Sequence, residues 1–336
     1  MKRRGNFYHL ICNRGNLLTA HNNAKKNKSH YSEVMYVEKN KEQCLNSIQK
    51  LLKEESYILS EKDYHHLKIL DKDKERDLYK LSYYPHRIIQ WAIINVIGKD
   101  IIKSLIIDTY ASIKGRGIHK LAKKLKGVLA NDSEGTRYCL KIDIRKYYDN
   151  IDNEILYKTV KIKFKDKQFL NLIKTIIFSR GEKGQPIGSL LSQYMANLYL
   201  SVFDHMCKEK LGLKYYFRYM DDIVVLHNNK TYLHNLKRYF DIFLREKLKL
   251  KIKDNWQVFP VDVRGIDYVG YRFFRHKTIL RRGIYINARY CFSRKYIHKA
   301  TYSYLGWCKH ANVKRFVNKY LGGNDKCISI IEGKKK

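Results

Sequence analysis

Two adjacent acids, Asp221 and Asp222, interrupt an otherwise aromatic and apolar stretch of the sequence. Residues 215–219 read Tyr-Tyr-Phe-Arg-Tyr and residues 223–226 read Ile-Val-Val-Leu, which predicts two short buried strands joined by a turn. Carboxylates held side by side in a poorly solvated turn raise the pKa of one member unless cations neutralise them. The pattern therefore favours a divalent-cation site. Asp-Asp is also common in ordinary hairpin turns, so the pair alone does not identify one.

A third acid repeats this arrangement about eighty residues earlier in the chain. Asp143 lies between Ile142 and Ile144 in a segment that is predicted to be a strand. Three acids on two strands suit a phosphoryl-transfer site with two metal ions roughly 3.5 to 4 Å apart. We therefore predict that Asp143, Asp221 and Asp222 are catalytic and hold two Mg²⁺ ions, for which Mn²⁺ could substitute. Ile144, next to Asp143, is included in the predicted metal-binding set.

The sequence Tyr219-Met220-Asp221-Asp222, together with Asp143, resembles the palm of a reverse transcriptase. The resemblance implies an α+β right-hand polymerase fold, with fingers, a palm built on an antiparallel sheet, and a helical thumb. It also implies an RNA-directed DNA polymerase, a nucleotidyltransferase that copies template RNA into cDNA by two-metal chemistry.

The charge of the chain favours a nucleic-acid partner. It carries 68 Lys and Arg against 32 Asp and Glu, a formal net charge of +36. Such an excess attracts phosphate backbones. Lys, Ile, Asn and Tyr are all abundant, so the codon bias of an AT-rich genome is an alternative source of part of this charge.

The cysteines and the apolar segments favour a cytoplasmic protein with no membrane partner. The seven cysteines are odd in number and never spaced as paired metal ligands, which indicates reduced thiols. The longest apolar stretch, near residues 88–97, is interrupted by Gln90 and Asn95 and is much shorter than the ~20 residues that span a bilayer.

Two segments before the first acid resemble the fingers motifs of reverse transcriptases. Residues 74–87 predict a basic strand that leads to a helix start at Pro85, and Lys74 and Arg76 are the predicted nucleotide contacts. The second segment places Arg116 between two glycines before a helix, where backbone amides form a phosphate cradle. Arg116 is therefore a predicted nucleotide contact. The family usually has Arg where Ile113 aligns.

Further predicted nucleotide-binding residues follow from the resemblance. Tyr148, five positions after Asp143, matches the aromatic residue that excludes a 2′-hydroxyl in relatives; a half-buried tyrosine is the alternative. Ile187, Gly188 and Gln193 resemble the variant motif of diversity-generating retroelement reverse transcriptases. Ile187 replaces an amide with an apolar surface, which would loosen base discrimination by up to roughly tenfold.

The remaining segments predict structural elements around these motifs. Residues 264–274 resemble the primer grip, with Gly270 and Tyr271 as the candidate residues. Helices are predicted near Phe7–Leu18, along residues 44–52, along residues 190–202, and from Thr231 to Leu248, and Asp152 is predicted to cap a helix. The predicted domains are an N-terminal extension (1–35), fingers (36–138), palm and primer grip (139–275, with 153–187 partly fingers), thumb (276–330) and a basic tail (331–336).

The resemblance to the retroelement type implies further partners: a primer and its cDNA, dNTPs, and a small basic accessory oligomer. The protein is expected to be bacterial or phage-encoded. Three alternatives stay open: an antiphage defence (antiviral) reverse transcriptase, a metal-dependent nuclease, and a non-enzymatic RNA-binding protein.

Overall fold

The computed structural model describes residues 3–71, 74–294, 299–322, 327 and 329–330, apart from the side chains of Asp71, Lys74 and Arg76. The chain folds into two compact units. Unit 1 comprises Met1–Ile107, Ile144–Leu211 and Asp241–Ile252, and unit 2 comprises Asp108–Asp143, Gly212–Phe240 and Lys253–Lys336. The predicted basic tail at 331–336 lies outside the described residues.

Helices and strands are mixed along the chain, as the predicted α+β class requires. The helices are α1 (Tyr8–Ile11), α2 (Arg14–Ala24), α3 (Ser32–Lys39), α4 (Lys41–Lys53), α5 (Ile88–Lys103), α6 (Ile118–Asn131), α7 (Asn153–Lys163), α8 (Lys167–Ile177), α9 (Leu190–His205), α10 (Lys230–Leu248), α11 (Val261–Arg264), α12 (Arg282–Phe292), α13 (Lys299–Cys308) and α14 (Lys314–Leu321). The strands are β1 (Tyr64–Asp71), β2 (Lys74–Leu81), β3 (Tyr138–Asp143), β4 (Tyr215–Tyr219), β5 (Asp222–His227), β6 (Gln257–Pro260), β7 (Ile266–Tyr268), β8 (Tyr271–Phe273) and β9 (Thr278–Leu280).

The N-terminal segment forms two helices where one was predicted. The chain breaks at Asn13, whose side-chain oxygen accepts hydrogen bonds from the amides of Gly15 and Asn16 and so caps α2. Asparagine is a preferred N-cap because its side chain satisfies amides that have no helical partner. The new helix start therefore lies inside the segment that periodicity alone joins together.

Unit 1 also contains the hairpin of β1 and β2 and the helix that follows it. The two strands are antiparallel, with Asp71 opposite Lys74. A π-helical turn at Tyr83–Arg87 contains Pro85 and leads into α5, so the predicted helix start near Pro85 is confirmed. Apolar residues make α5 a largely buried helix.

A four-stranded sheet in unit 2 has the order β4-β5-β3-β6, and every neighbouring pair is antiparallel. The four consecutive residues 223–226 of β5 are buried. Such a run suits a strand that is covered on both faces, and β5 lies inside the sheet. The predicted pair of buried strands on either side of Asp221 is confirmed.

The rest of unit 2 builds one apolar core around a second, three-stranded sheet of order β7-β8-β9. Buried side chains of α6 and α12 share this core with residues of both sheets. The predicted β arms of residues 264–274 correspond to β7 and β8.

The predictions for α7 and α9 had different outcomes. Asp152 caps α7 by accepting a hydrogen bond from the Ile155 amide, as predicted. In α9, the spacing of Val202 with Leu191 and Leu198 predicts one apolar face, yet the Val202 side chain is 40% exposed. Positions 191 and 202 differ by only about 20° around a helix of 3.6 residues per turn, so the tertiary surroundings of α9 and not its periodicity leave Val202 exposed.

No helix among the residues that the structure describes is long and apolar enough to cross a membrane.

Candidate active site

The hairpin of β4 and β5 places two acids at its turn. Tyr219 lies opposite Asp222 in the register, so Met220 and Asp221 form a two-residue loop. Met220 has a positive φ of 56°. Two-residue hairpins require such a conformation because it matches the twist of the flanking strands, and a non-glycine residue adopts it at some cost.

The pairing of β3 with β5 brings the third acid to the same place. Asp143 is the last residue of β3 and lies directly opposite Asp222, the first residue of β5. Directly opposed residues of antiparallel strands have neighbouring side chains. Asp143 therefore joins Asp221 and Asp222 in one acidic group within unit 2, although it lies 78 positions before Asp221 in the sequence.

Burial controls the electrostatics of this group. The pKa of Asp222 is raised to about 7, chiefly by burial; Asp143 and Asp221 also act to raise it, and Lys141 and Arg281 act in the opposite direction. An aspartate without such surroundings loses its proton at a pH well below neutral. The carboxyl is thus poised to lose its proton when a cation arrives.

The oxygens of these acids are incompletely satisfied. The Oδ1 atoms of Asp143 and Asp222 are buried and accept no hydrogen bond from the residues that the structure describes. Lys253 forms an ion pair with Asp143 in which Nζ lies 2.5 Å from Oδ1, without hydrogen-bond geometry. Lys141 Nζ lies 3.7 Å from Asp222 Oδ2. Buried polar atoms without partners are rare, so Asp222 Oδ1, which has neither a hydrogen bond nor an ion pair with the described residues, points to an external ligand.

The donor set fits a hard divalent cation. It consists of carboxylate oxygens, which Mg²⁺ and Mn²⁺ prefer. Within the described ranges, no group of three or more acids, histidines or cysteines is close enough to hold an ion as it stands. The three acids are therefore neighbours that cations would draw together. The buried Ile144 side chain has no donor atom, so only its backbone carbonyl could contribute.

Two residues that sequence reasoning missed support the acidic hairpin. Arg218 is fully buried in β4, and its guanidinium donates a hydrogen bond to the Met220 carbonyl at 2.9 Å. The Tyr268 hydroxyl lies 2.9 Å from the carbonyl oxygen of Asp222 and is also buried. The sequence did contain a signal for Arg218, because a single arginine inside an aromatic strand is expected to be buried and then needs hydrogen-bond partners within the protein. No comparable signal marked Tyr268.

The other predicted residues of unit 2 are placed as follows. Arg116 donates to the Thr109 carbonyl at 3.0 Å, between Gly115 and Gly117, which both have positive φ. Gly270 has a φ of 88°, and a Cβ there would lie 2.5 Å from the Trp307 ring. Tyr271 is fully buried, and its hydroxyl donates to the Trp307 carbonyl. Gly270 and Tyr271 thus hold the β7–β8 turn against α13.

The predicted nucleotide-binding residues of unit 1 lie on β2 and around residues 148–193. The carbonyl of Ile187 accepts a hydrogen bond from the Tyr79 amide at 2.9 Å. Gly188 has a φ of 107° and approaches Leu78 so closely that a Cβ would lie 2.9 Å from its side chain. These contacts fix the loop before α9 against β2.

Four further predicted residues lie in unit 1. Tyr148 begins a 3-10 turn, Tyr148–Asn150, and is half-buried. Gln193 is a half-buried residue of α9. Lys74 and Arg76 belong to β2, and their side chains lie outside the described part of the chain.

Comparisons with known proteins show the family to which the chain is similar. The family model for reverse transcriptase (RNA-dependent DNA polymerase) matches residues 72–273. Protein YkfC of Escherichia coli K12 is 22% identical over 205 residues, which is 48% of this chain and 54% of that protein. The Retron Ec83 reverse transcriptase of Escherichia coli is 28% identical over 199 residues, which is 52% of this chain and 60% of that protein. The chain thus spans only a little over half the length of these relatives.

A solved structure is similar in fold. Telomerase from Candida albicans, in complex with a fragment of telomeric RNA, superimposes with a TM-score of 0.51 at 11% identity. The match covers 80% of this chain and 57% of that chain. At this identity the likeness concerns the fold alone, and it confirms the predicted right-hand polymerase fold.

The raised pKa of Asp222 predicts how the stability of the metal-free protein depends on pH. Its folded pKa of about 7 exceeds the unfolded value, so the folded state binds the proton more tightly. In EDTA, wild-type stability should therefore fall as pH rises from about 4 to 7, by at most about 4 kcal/mol. Asp222→Asn has no such proton and should melt several degrees above wild type at pH 8, with a gap that closes towards pH 4.

Mg²⁺ or Mn²⁺ added at pH 8 should raise the melting temperature of the wild type and leave that of Asp222→Asn nearly unchanged, because ligand binding stabilises the folded state. A parallel pH dependence of both proteins, or an equal metal response, would contradict the assigned site. Differential scanning fluorimetry measures both effects.

Arg218 predicts a second stability effect. Arg218→Met removes the buried guanidinium that donates to the Met220 carbonyl, which should lower the free energy of unfolding by about 1–3 kcal/mol. Arg245→Met is the matched control, since the Arg245 side chain is 60% exposed and pairs with Asp241 on the surface of α10. That change should cost less than about 1 kcal/mol. Equal losses for the two variants in urea denaturation would show that Arg218 does not support the turn.

Proposed function

Because the chain belongs to the reverse transcriptase family, we propose that it is an RNA-directed DNA polymerase with its active site at Asp143, Asp221 and Asp222. The observation that carries the proposal is the register of β3 and β5, which sets Asp143 directly opposite Asp222 beside the Asp221 turn. Proteins of this family need a group of acids at the point where a nucleotide joins the primer, and these acids form the buried acidic group of unit 2.

The three acids would hold two divalent cations, either Mg²⁺ or Mn²⁺. Bound there, such ions lower the pKa of a primer 3′-hydroxyl and neutralise charge on the triphosphate. The contribution of the chain is to present carboxylate oxygens that have no hydrogen bond of their own. Arg218 and Tyr268 fix the backbone of the turn, so the acids keep their positions. No side chain is needed as a general base.

The substrates follow from the same proposal: template RNA, a primer and its cDNA, and dNTPs. Lys74, Arg76 and Arg116 would contact the triphosphate or the template. Tyr148 would exclude the 2′-hydroxyl of a ribonucleotide by steric conflict. Gly270 would shape the primer grip because only a residue without a Cβ fits against Trp307, and Tyr271 would hold the hairpin from behind.

Loss of one acid should abolish primer extension. Asp222→Asn removes a charge that would hold the cations, so extension of a DNA primer on an RNA template should fall more than about a hundredfold, since even residues that only support metal ligands cost 10–100-fold. Asp254→Asn, an exposed acid close to Lys253 in the sequence, is the matched control and should extend like the wild type.

Binding of RNA by Asp222→Asn should stay close to that of the wild type. Extension by this variant would exclude the catalytic assignment. Shortening of a labelled primer by the wild type would favour the nuclease alternative, and RNA binding without any reaction would favour the non-enzymatic one.

For the subtype, we propose an error-prone, diversity-generating retroelement enzyme assisted by a small basic accessory oligomer. Ile187 and Gln193 support this reading because they match that variant of the motif. A retron reverse transcriptase is the second candidate, favoured by the 28% identity with the Retron Ec83 enzyme. The antiphage defence role stays an alternative of the same kind.

The error spectrum distinguishes the two candidates. If Ile187 loosens base selection, cDNA from a defined RNA should contain excess errors opposite adenine. Ile187→Gln should lower them by up to about tenfold, because a restored hydrogen bond is worth about 0.5–1.5 kcal/mol. Ile162→Gln, at a position that is 66% exposed, is the control. Sequencing that finds even errors at all four bases, unchanged by Ile187→Gln, would favour the retron type.

A further inference from the structure

A cavity in unit 2 has a strongly basic lining that the proposed chemistry does not use. It has a volume of about 150 Å³ and lies between α6 and the segment that ends α13. Four of its five lining residues are basic: Lys123, Lys126, Lys309 and His310, and the fifth is Ala122. None of the described residues that line it is acidic. The three lysines therefore give this lining a positive charge.

The three lysines have no counter-charge among the residues that the structure describes. Among the residues that the structure describes, none of Lys123, Lys126 and Lys309 forms an ion pair, and all three are exposed. Lys124, between them on α6, pairs with the buried Asp108. The chain thus neutralises the one lysine of this run that approaches a buried acid and leaves its neighbours unpaired.

Two histidines lie beside these lysines. The rings of His119 and His310 stack with their centroids 4.1 Å apart. Burial lowers the pKa of His310, and His119, Lys309 and Lys126 lower it further. The positive groups around His310 thus disfavour its protonation, as expected where no anion is bound nearby.

The cavity also lies beside the packing that holds the primer-grip turn. Trp307 contacts the His119 ring edge-on, with centroids 6.1 Å apart. Trp307 also contacts Tyr271, with the two ring centroids 5.2 Å apart. A ligand bound to the lysines would therefore contact the same helix ends that fix Tyr271.

We propose that this cavity binds backbone phosphates of an RNA strand, at a site separate from the three acids; the inference rests on the proposed function. Lys123 and Lys126 stand three residues apart on α6, so they are neighbours on one helix face, and Lys309, the residue after α13, lines the same cavity. A row of cations with no acid among them matches a polyanion better than a single small anion. Phosphate contacts of this kind are independent of base sequence.

The test compares two triple variants that remove equal charge. Lys123→Ala/Lys126→Ala/Lys309→Ala removes the cavity lysines. Lys39→Ala/Lys158→Ala/Lys167→Ala removes three exposed lysines of α3, α7 and α8 that form no ion pair with other described residues. The probe is a fluorescent single-stranded RNA of mixed sequence, titrated over a range of salt concentrations.

The cavity variant should bind this RNA about tenfold more weakly, and the slope of log affinity against log salt should fall by about two, since each single-strand contact contributes about 0.7. The control variant should change neither quantity appreciably. Replacing the three cavity lysines by arginine should restore both, because arginine also contacts phosphates. Acetylation of lysines should be slowed by RNA at the cavity positions and not at the control positions.

Equal affinity and slope for the two alanine variants, at equal melting temperature, would overturn the inference. So would unchanged acetylation at Lys123, Lys126 and Lys309. The proposed function fails separately: Asp222→Asn tests extension without touching these lysines. A cavity variant that binds RNA normally while Asp222→Asn fails to extend would overturn this inference alone.

Discussion

The structure depends on the opposition of two like charges across one strand pair. Asp143 and Asp222 meet because β3 and β5 are antiparallel in a single register. A shift of one residue would send every side chain of β5 to the other face. The run of residues 223–226 is buried, so that shift would move the charged Asp222 or the polar His227 into a position that now holds a buried apolar residue. The same residues that form the core therefore fix the distance between the acids.

Holding carboxylates in this place destabilises the free protein, and the surrounding residues limit the loss. Lys141 and Lys253 provide counter-charges, yet each leaves one oxygen of its acid without a hydrogen bond. Full satisfaction would have made the acids inert, because an oxygen that already accepts good hydrogen bonds gains less from a cation. The backbone is fixed instead, by Arg218 at the Met220 carbonyl and by Tyr268 at the Asp222 carbonyl. Rigid backbone with unsatisfied side chains is what a preorganised cation site requires.

Local sequence predicted the elements better than their surroundings. The β4–β5 hairpin, the capped start of α7 and the turn before α5 follow from alternation, capping chemistry and proline, which act over a few residues. The exposed Val202 and the break at Asn13 show where periodicity failed, because tertiary contacts and a cap decided the outcome. The acids themselves were recognisable because charge inside apolar strands is costly anywhere. Tyr268 was not, since an aromatic residue in a strand is ordinary and its hydroxyl partner lies 46 residues away.

The net charge of +36 includes two kinds of lysine, those that pair with acids of the chain and those that do not. At the acidic group, Lys141 and Lys253 are paired with the acids, so they compensate charge that the fold itself creates. At the cavity between α6 and the end of α13, the lysines form no ion pair with any residue that the structure describes. Codon bias explains an abundance of lysine, but it does not explain why acids are absent from one cavity and concentrated at another place in the same unit. An unpaired lysine surface carries a repulsive energy that a bound polyanion relieves, and the relief grows with each phosphate contacted. Strong binding of a long RNA can therefore be distributed over such a surface, which leaves the few groups at the acids free to select and join a single nucleotide.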